Sequence, residues 1–357
     1  MTTVMADKQR DICDLREGDM EIRPWADLHI DILNEIKGRL SLFDQFRFRG
    51  VCKPWRLAKH GKPAHKLPWL MTYDLEWDNN GDILSNCTFH CPFLNKTFTY
   101  EHKIEEERCG NLFAASFCAS KYGWLLLQRS EKAFVYHPLT KEIIKLPDMG
   151  INFNRSTFSS IPTLPDCVFF AVQTKTKNKM LCIKTCHHGD LRWRKHIYCG
   201  FKLAIEDVVY SNGTFYCVFS GGVLGAYSVA FEEWKLLTDT TPILDVRSEI
   251  RMVESDGDLL LVYPSLRFFH IFRFDWSLMT WVEQDSLGNK ALLLGCTSYS
   301  ISAEKETSAL ADKIYYHGHE NTFFYSLKTH ESHKCSEFYP WVTRRAPEKI
   351  WIEPPEV

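Results

Sequence analysis

Residues 25–56 read W-A-D-L-H-I-D-I-L-N-E-I-K-G-R-L-S-L-F-D-Q-F-R-F-R-G-V-C-K-P-W-R. Ile30, Leu33, Ile36 and Leu40 recur at helical spacing, with Glu35, Lys37 and Arg39 assigned to the other side. Asp44 follows an S-L-F break and is placed to cap a second short helix. Pro54 stands where a third helix would start, a position that tolerates the missing N–H. Trp55 then falls among Phe48, Val51 and Cys52. Three helices in about 35 residues enclose little surface of their own. The apolar side chains here outnumber what so small an interior absorbs, so the surplus faces either the rest of the chain or another protein.

The run W-x-D-L-x-x-D-I-L-x-x-I-x-x-R-L-x-L-x-D-x-x-R-F-R-x-V-C-K-x-W-R resembles an F-box. That resemblance implies binding to a Skp-type adaptor and, through it, to a cullin-RING ubiquitin ligase. It also implies that Leu28, Ile32, Leu33, Ile36, Leu40, Val51, Cys52 and Trp55 supply the adaptor face and the module's interior together. F-boxes usually carry Leu-Pro near their start, and here Leu28 is followed by His29.

The composition fits a globular chain of 357 residues, 45% hydrophobic and 25% charged, long enough for a small module and one large domain. A formal charge of −2 provides no global field for nucleic acid or an anionic membrane. Aromatic residues make up 14%, a share that suits side chains packing across strands. The 13 cysteines form no regular framework, and the polar start M-T-T-V-M-A-D-K-Q-R-D has no apolar core, so free thiols in the cytoplasm or nucleus are expected. The longest uncharged run, Thr214 to Phe231, nearly reaches the length of a membrane span. Ser220-Gly221-Gly222 divides it into two β-like halves, which reads as a hairpin.

Residues 1–20 are polar and expected to be a disordered tail, 21–62 the helical module, and 63–357 a β domain. Beyond His60-Gly61 the helical stripes give way to short alternating runs separated by Gly, Asn, Asp and Pro. A strand-turn-strand-turn-strand unit recurs from Gly123, Cys167, Gly213, Gly257 and Lys313. The unit starts lie roughly 45 to 55 residues apart, a spacing that suits β-propeller blades. Five units are traced, and about 70–110 would supply one or two more; a β-sandwich or two sheet domains is the competing arrangement. Four ordered pieces, G-W-L-L-L, V-Y-H-P-L-T-K-E-I-I-K-L-P, W-V-E-Q-D-S-L-G-N-K-A-L-L-L-G and K-I-W-I-E-P, resemble the domain of unknown function 295 of plant F-box proteins, a KIB-type β-propeller. The two resemblances together imply a plant protein acting in an SCF-type ligase.

Other constellations carry little chemistry. Cys182 and Cys186 share a strand face but sit about 13 Å apart on an extended chain, too far for one tetrahedral zinc without a bend. They read as a buried pair beside the His187-His188-Gly189-Asp190 turn. His317-Gly318-His319 reads as a turn and Glu105-Glu106-Glu107 as solvated surface. Arg192-Trp193-Arg194-Lys195 reads as a strand of alternating exposure rather than a nucleic-acid patch. The chain has no G-x-x-x-x-G-K-[ST], G-x-S-x-G or H-E-x-x-H. The expectation is therefore α+β multidomain: a small three-helix F-box followed by an all-β propeller-like domain. It would be a non-enzymatic receptor without cofactor or metal, binding a target protein and no nucleic acid or membrane. A non-degradative scaffold and a propeller-based enzyme are the alternatives.

Overall fold

Successive side chains of a strand point to opposite faces, so runs of consecutive apolar residues such as Trp124–Leu127 give a sheet two faces to bury. A computed structural model describes residues 25–40, 42–58, 67–77, 83–91, 93, 96–103, 115–150, 152–238, 249–265, 268–317, 321–336 and 349–352. Two compact units divide the chain, 1–65 and 66–356. The expected tail, Glu105–Glu107 and His319 lie outside the described residues.

The first unit has a 3-10 turn over Trp25–Asp27 and three helices: α1 (Ile30–Gly38), α2 (Leu42–Arg49) and α3 (Lys53–Leu57). The second is a six-bladed β-propeller. Its first blade contains β1 (Trp69–Trp77), β2 (Ile83–Cys91) and β3 (Lys96–Lys103). The second has β4 (Ser116–Lys121), β5 (Trp124–Arg129), β6 (Lys132–His137) and β7 (Glu142–Lys145). The third has β8 (Arg155–Phe158), β9 (Val168–Lys175), β10 (Met180–His187) and β11 (Arg194–Cys199). The fourth has β12 (Ile205–Ser211), β13 (Thr214–Phe219), β14 (Val223–Ser228) and β15 (Glu233–Leu236). The fifth has β16 (Arg251–Ser255), β17 (Asp258–Pro264), β18 (Phe269–Asp275) and β19 (Thr280–Glu283). The sixth has β20 (Lys290–Leu293), β21 (Tyr299–Ser302), β22 (Lys313–His317), β23 (Thr322–Ser326) and β24 (Glu331–Ser336). The last strand, β25 (Lys349–Ile352), joins the first blade as its innermost strand, pairing antiparallel with β1 so that Trp351 lies opposite Leu70.

The five sequence units correspond to β5–β7, β9–β11, β13–β15, β17–β19 and β22–β24, and residues 70–110 supply one blade. Each unit nevertheless lacks its innermost strand, which is supplied by β4, β8, β12, β16 or β21. Inner strands such as Arg155-Ser156-Thr157-Phe158 and Tyr299-Ser300-Ile301-Ser302 are four residues long and rich in small polar side chains, so they carry no alternating apolar signal. The sixth blade departs further. β20 runs parallel to β22 and is inserted between it and β21, so this blade has five strands.

The cores lie between blades. On β9, Val168, Phe170 and Val172 face the fourth blade, while Phe169 packs with Trp124, Leu126 and Val135 of the second. On β17, Leu259 and Leu261 join the cluster with the fourth blade, and Leu260 and Val262 the cluster with the sixth. Leu70 and Trp351 of the first blade meet Ala291, Leu293, Tyr299 and Tyr315 of the sixth. The β-sandwich alternative is thereby excluded. The uncharged run is a hairpin of β13 and β14, turned through Gly221 and Gly222 at φ +80° and +85°, backbone angles that glycine adopts without strain. Among the described residues no helix is long and apolar enough to cross a membrane.

His137, at the end of β6, sits edge-on to Trp124 with ring centroids 5.1 Å apart, and its Nδ1 accepts from the Thr140 backbone N–H at 3.1 Å. Burial holds its pKa down at about 4. The unfolded chain takes up this proton near pH 6.5 and the folded chain does not. Stability should therefore fall as pH drops from about 6.5 to about 4, by at most ~1.4 kcal/mol per pH unit. His137→Asn keeps an acceptor for Thr140 and should flatten that part of the profile. Denaturant midpoints across this pH range check it; equal slopes in the two proteins would contradict the assignment.

Candidate protein-interaction sites

In the helical unit the interior is small. Leu33, Phe48 and Ala58 are buried, and Leu28, Ile36, Leu40 and Trp55 pack around them. Phe48 and Trp55 lie with ring centroids 4.3 Å apart, and Trp55 Nε1 donates to the Trp25 carbonyl at 2.7 Å. Cys52 is half-buried at the N-cap of α3, ahead of Pro54 in the first turn. Ile32 and Val51 are 50% and 56% exposed, and Ile30 and Leu57 are exposed as well. The eight residues expected to share interior and face thus divide: Leu33 is interior, Leu28, Ile36, Leu40, Cys52 and Trp55 are intermediate, and Ile32 and Val51 face solvent.

Two expectations are corrected. Lys37 is not on the solvent side; it is buried, and its Nζ donates to the Ala58 carbonyl at 3.0 Å. Its methylene stem covers apolar surface while the ammonium satisfies a carbonyl left open at the end of α3. Desolvation, with the Arg49 charge, lowers its pKa. Buried Gln45 completes this joint by donating Nε2 to the Lys37 carbonyl at 3.0 Å. Asp44 does not cap α2, because the helix already begins at Leu42. Asp44 lies in the first turn, where its charge opposes the helix dipole, and it pairs with Arg47 at 3.7 Å. His29 stands where proline is usual and adopts φ −57°, within the range a proline ring imposes. Its Nδ1 also accepts from Asp31 N at 3.4 Å. The entry to α1 therefore keeps its backbone path without a proline.

In the propeller, Ser116, Arg155 and Arg251 are each the first residue of an inner strand, so the ring's symmetry brings them to the same end of the axis. They line a funnel of about 440 Å³ together with Gln128, Asn152 and Cys296. β12 lies between β8 and β16, and its Asp207 is buried. Asp207 Oδ1 accepts from Val208 N at 2.8 Å and Oδ2 from Met252 N at 2.9 Å, which locks β12 to β16. Burial raises its pKa, opposed by the charges of Arg251 and Arg155 and by the two N–H bonds. Arg155 donates Nε to the Glu206 carbonyl at 2.6 Å and Nη1 to that of Asn154 at 2.9 Å. Arg251 pairs with Glu249 at the mouth. Thr297, in the loop after β20, accepts from Ser120 N of the second blade at 2.7 Å and ties the sixth blade to the second. The sequence reading missed this funnel because its residues come from several blades and its two arginines open short inner strands.

The remaining constellations are structural. β10 runs unbroken from Met180 to His187, with Cys182 and Cys186 buried along it. Burial pushes the Cys186 thiol up to about 12, the state of an inert core cysteine. Arg192 and Trp193 precede β11 rather than lying within it, and Trp193 Nε1 donates to the Pro147 carbonyl at 2.7 Å.

The chain thus contains a helical module and a six-bladed propeller, and the comparisons agree on its kin. The KIB1-4 β-propeller family matches residues 93–337, and the chain belongs to that family. It is 26% identical over 350 residues to the F-box protein At3g56470 of Arabidopsis thaliana, covering 93% of this chain and 89% of the relative. It is also 26% identical over 349 residues to the Arabidopsis thaliana F-box/kelch-repeat protein At1g57790, covering 93% and 95%. A third Arabidopsis thaliana relative, the F-box protein At4g00893, is 22% identical over 356 residues, covering 93% and 87%.

Lys37→Met retains the stem but leaves the Ala58 carbonyl without its donor. The expected cost is about 1–3 kcal/mol. Amide exchange in α1 of the full chain should accelerate roughly five- to hundred-fold, and unchanged protection would show that this joint contributes nothing.

Proposed function

We propose that this chain is the substrate-receptor subunit of an SCF-type cullin-RING ubiquitin ligase. In this reading residues 21–62 are the F-box that docks a Skp-type adaptor, and residues 63–357 are the propeller that binds a target protein for ubiquitination. The transfer chemistry resides in other subunits, and the chain contributes binding without a cofactor. The observation that carries the reading is the apolar surplus of the helical unit: Ile30, Ile32, Val51 and Leu57 are exposed, while among the described residues its core buries Leu33, Phe48 and Ala58. Exposed aliphatic groups on a small helical unit are stabilised by a partner that covers them. The naming of the relatives as F-box proteins supports the same assignment. Ile32 and Val51 form the adaptor face in this reading, Leu33 the interior, and Leu28, Ile36, Leu40, Cys52 and Trp55 serve both.

Because Ile32 and Val51 are exposed, Ile32→Asp with Val51→Asp should leave the fold intact while placing two charges in the interface. Adaptor affinity should fall by about 2–4 kcal/mol, or roughly thirty-fold to a thousand-fold. Titration of the full chain with a purified Skp-type adaptor measures it. Undiminished affinity in a variant with the wild-type melting temperature would overturn the proposed docking face.

A further inference from the structure

We propose that the axial funnel of the propeller is the seat for an acidic side chain on an extended segment of a target protein, with Arg155 as its anchor. The assignment rests on the receptor reading for its biological role.

The funnel has the size of a ligand site, about 440 Å³ against a usual ~300–1,000 Å³, yet its lining is polar. Arg155 is half-buried, and among the described residues its partners are the neutral carbonyls of Glu206 and Asn154. Among the described residues no carboxylate lies within 4.0 Å of its guanidinium. Buried Asp207 interacts with it electrostatically, but both carboxylate oxygens already accept from the N–H groups of Val208 and Met252. An arginine fixed by carbonyls and short of a carboxylate is an incomplete fork, and a carboxylate is the group that completes it bidentately.

Glu249 shows how such a group docks at this mouth. Its carboxylate pairs with Arg251 from a side chain that is 62% exposed. With Glu249 this exposed, solvent screens the pair and a competing carboxylate can reach Arg251. Around the two guanidinia stand the amides of Gln128 and Asn152 and the hydroxyls of Ser116 and Ser130. Gln128 Nε2 is already donated to the Ser130 carbonyl and Asn152 Oδ1. The Ser116 and Ser130 hydroxyls have no hydrogen bond among the described residues. These groups suit the backbone of an extended peptide. A lysine or arginine entering the funnel would instead meet two fixed cations.

The full-length protein would be tested on an immobilised library of degenerate peptides with one central position fixed as Glu, Asp, Gln or Asn. Wild type should favour the acids over the amides by about tenfold. Arg155→Gln should reduce that preference to near one, and Arg155→Lys should restore part of it. Glu249→Gln should strengthen binding of the acidic set, since it removes the competing carboxylate without touching Arg155. Equal binding of acids and amides by wild type would overturn the proposal, as would full preference in folded Arg155→Gln. If Arg155→Gln does not fold, Glu249→Gln decides: stronger acidic binding supports the proposal, and no change refutes it. N-acetylglutamate amide displacing the peptides at their own concentration would refute the requirement for a polypeptide. Binding of a Skp-type adaptor, read on the same samples, separates the two readings. Loss of acid preference with adaptor bound counts against the funnel, and an adaptor that never binds a chain with intact acid preference counts against the ligase role.

Discussion

Everything in the propeller unit depends on one constraint: a short sheet with two apolar faces cannot bury both of them alone. The alternation on β9 and β17 sends successive side chains into different interblade cores. Each blade is therefore covered only if both neighbours are present. A ring meets that demand, and it must be closed. Here the closing strand is β25, whose Ile350, Trp351 and Ile352 are all buried. Trp351 stacks on His317 of the sixth blade at 4.8 Å and pairs in register with Leu70 of the first. The hydrogen bond from Ser120 N to Thr297 Oγ1 adds a second tie between blades that are not neighbours.

The same closure positions the funnel. Inner strands begin at one end of the axis because every blade repeats the same direction of travel, so Ser116, Arg155 and Arg251 converge without being near in sequence. Asp207 holds β12 and β16 together through backbone N–H groups, while Arg155 bonds to carbonyls and Arg251 to Glu249. The helical unit follows a different logic. Its core is so small that a lysine stem and a glutamine amide form part of it, through Lys37 and Gln45. Aliphatic groups are left exposed there, whereas in the propeller polar groups are gathered at the axis.

Much of this architecture is legible in the residues. Gly123-Trp124-Leu125-Leu126-Leu127 and its four counterparts are short apolar runs, and they form β5, β9, β13, β17 and β22, one in each of five blades. K-I-W-I stands out at the end of the chain and proves to be the closing strand. Inner strands such as β8 and β21 were not legible, because they are four residues long and rich in small polar side chains. The arginine funnel was missed because its residues come from several blades and its two arginines open such short strands. The sidedness of α1 was misread at Lys37, since helical spacing reports which positions share a face and not that a lysine stem can be buried with its amine on a carbonyl. Asp44 as a cap places the start of α2 three residues late, an error of boundary rather than of element.

The most direct test of the account is removal of β25 by ending the chain at residue 348. Ring closure requires that loss of this strand uncover Leu70 and the sixth-blade cluster of Leu293 and Tyr315, so that the whole propeller loses cooperative unfolding. Calorimetry should then show a broad transition, or none, in place of one sharp peak. A truncated protein that still melts in one sharp transition at the wild-type temperature would contradict closure and show that the blades stand without their last strand.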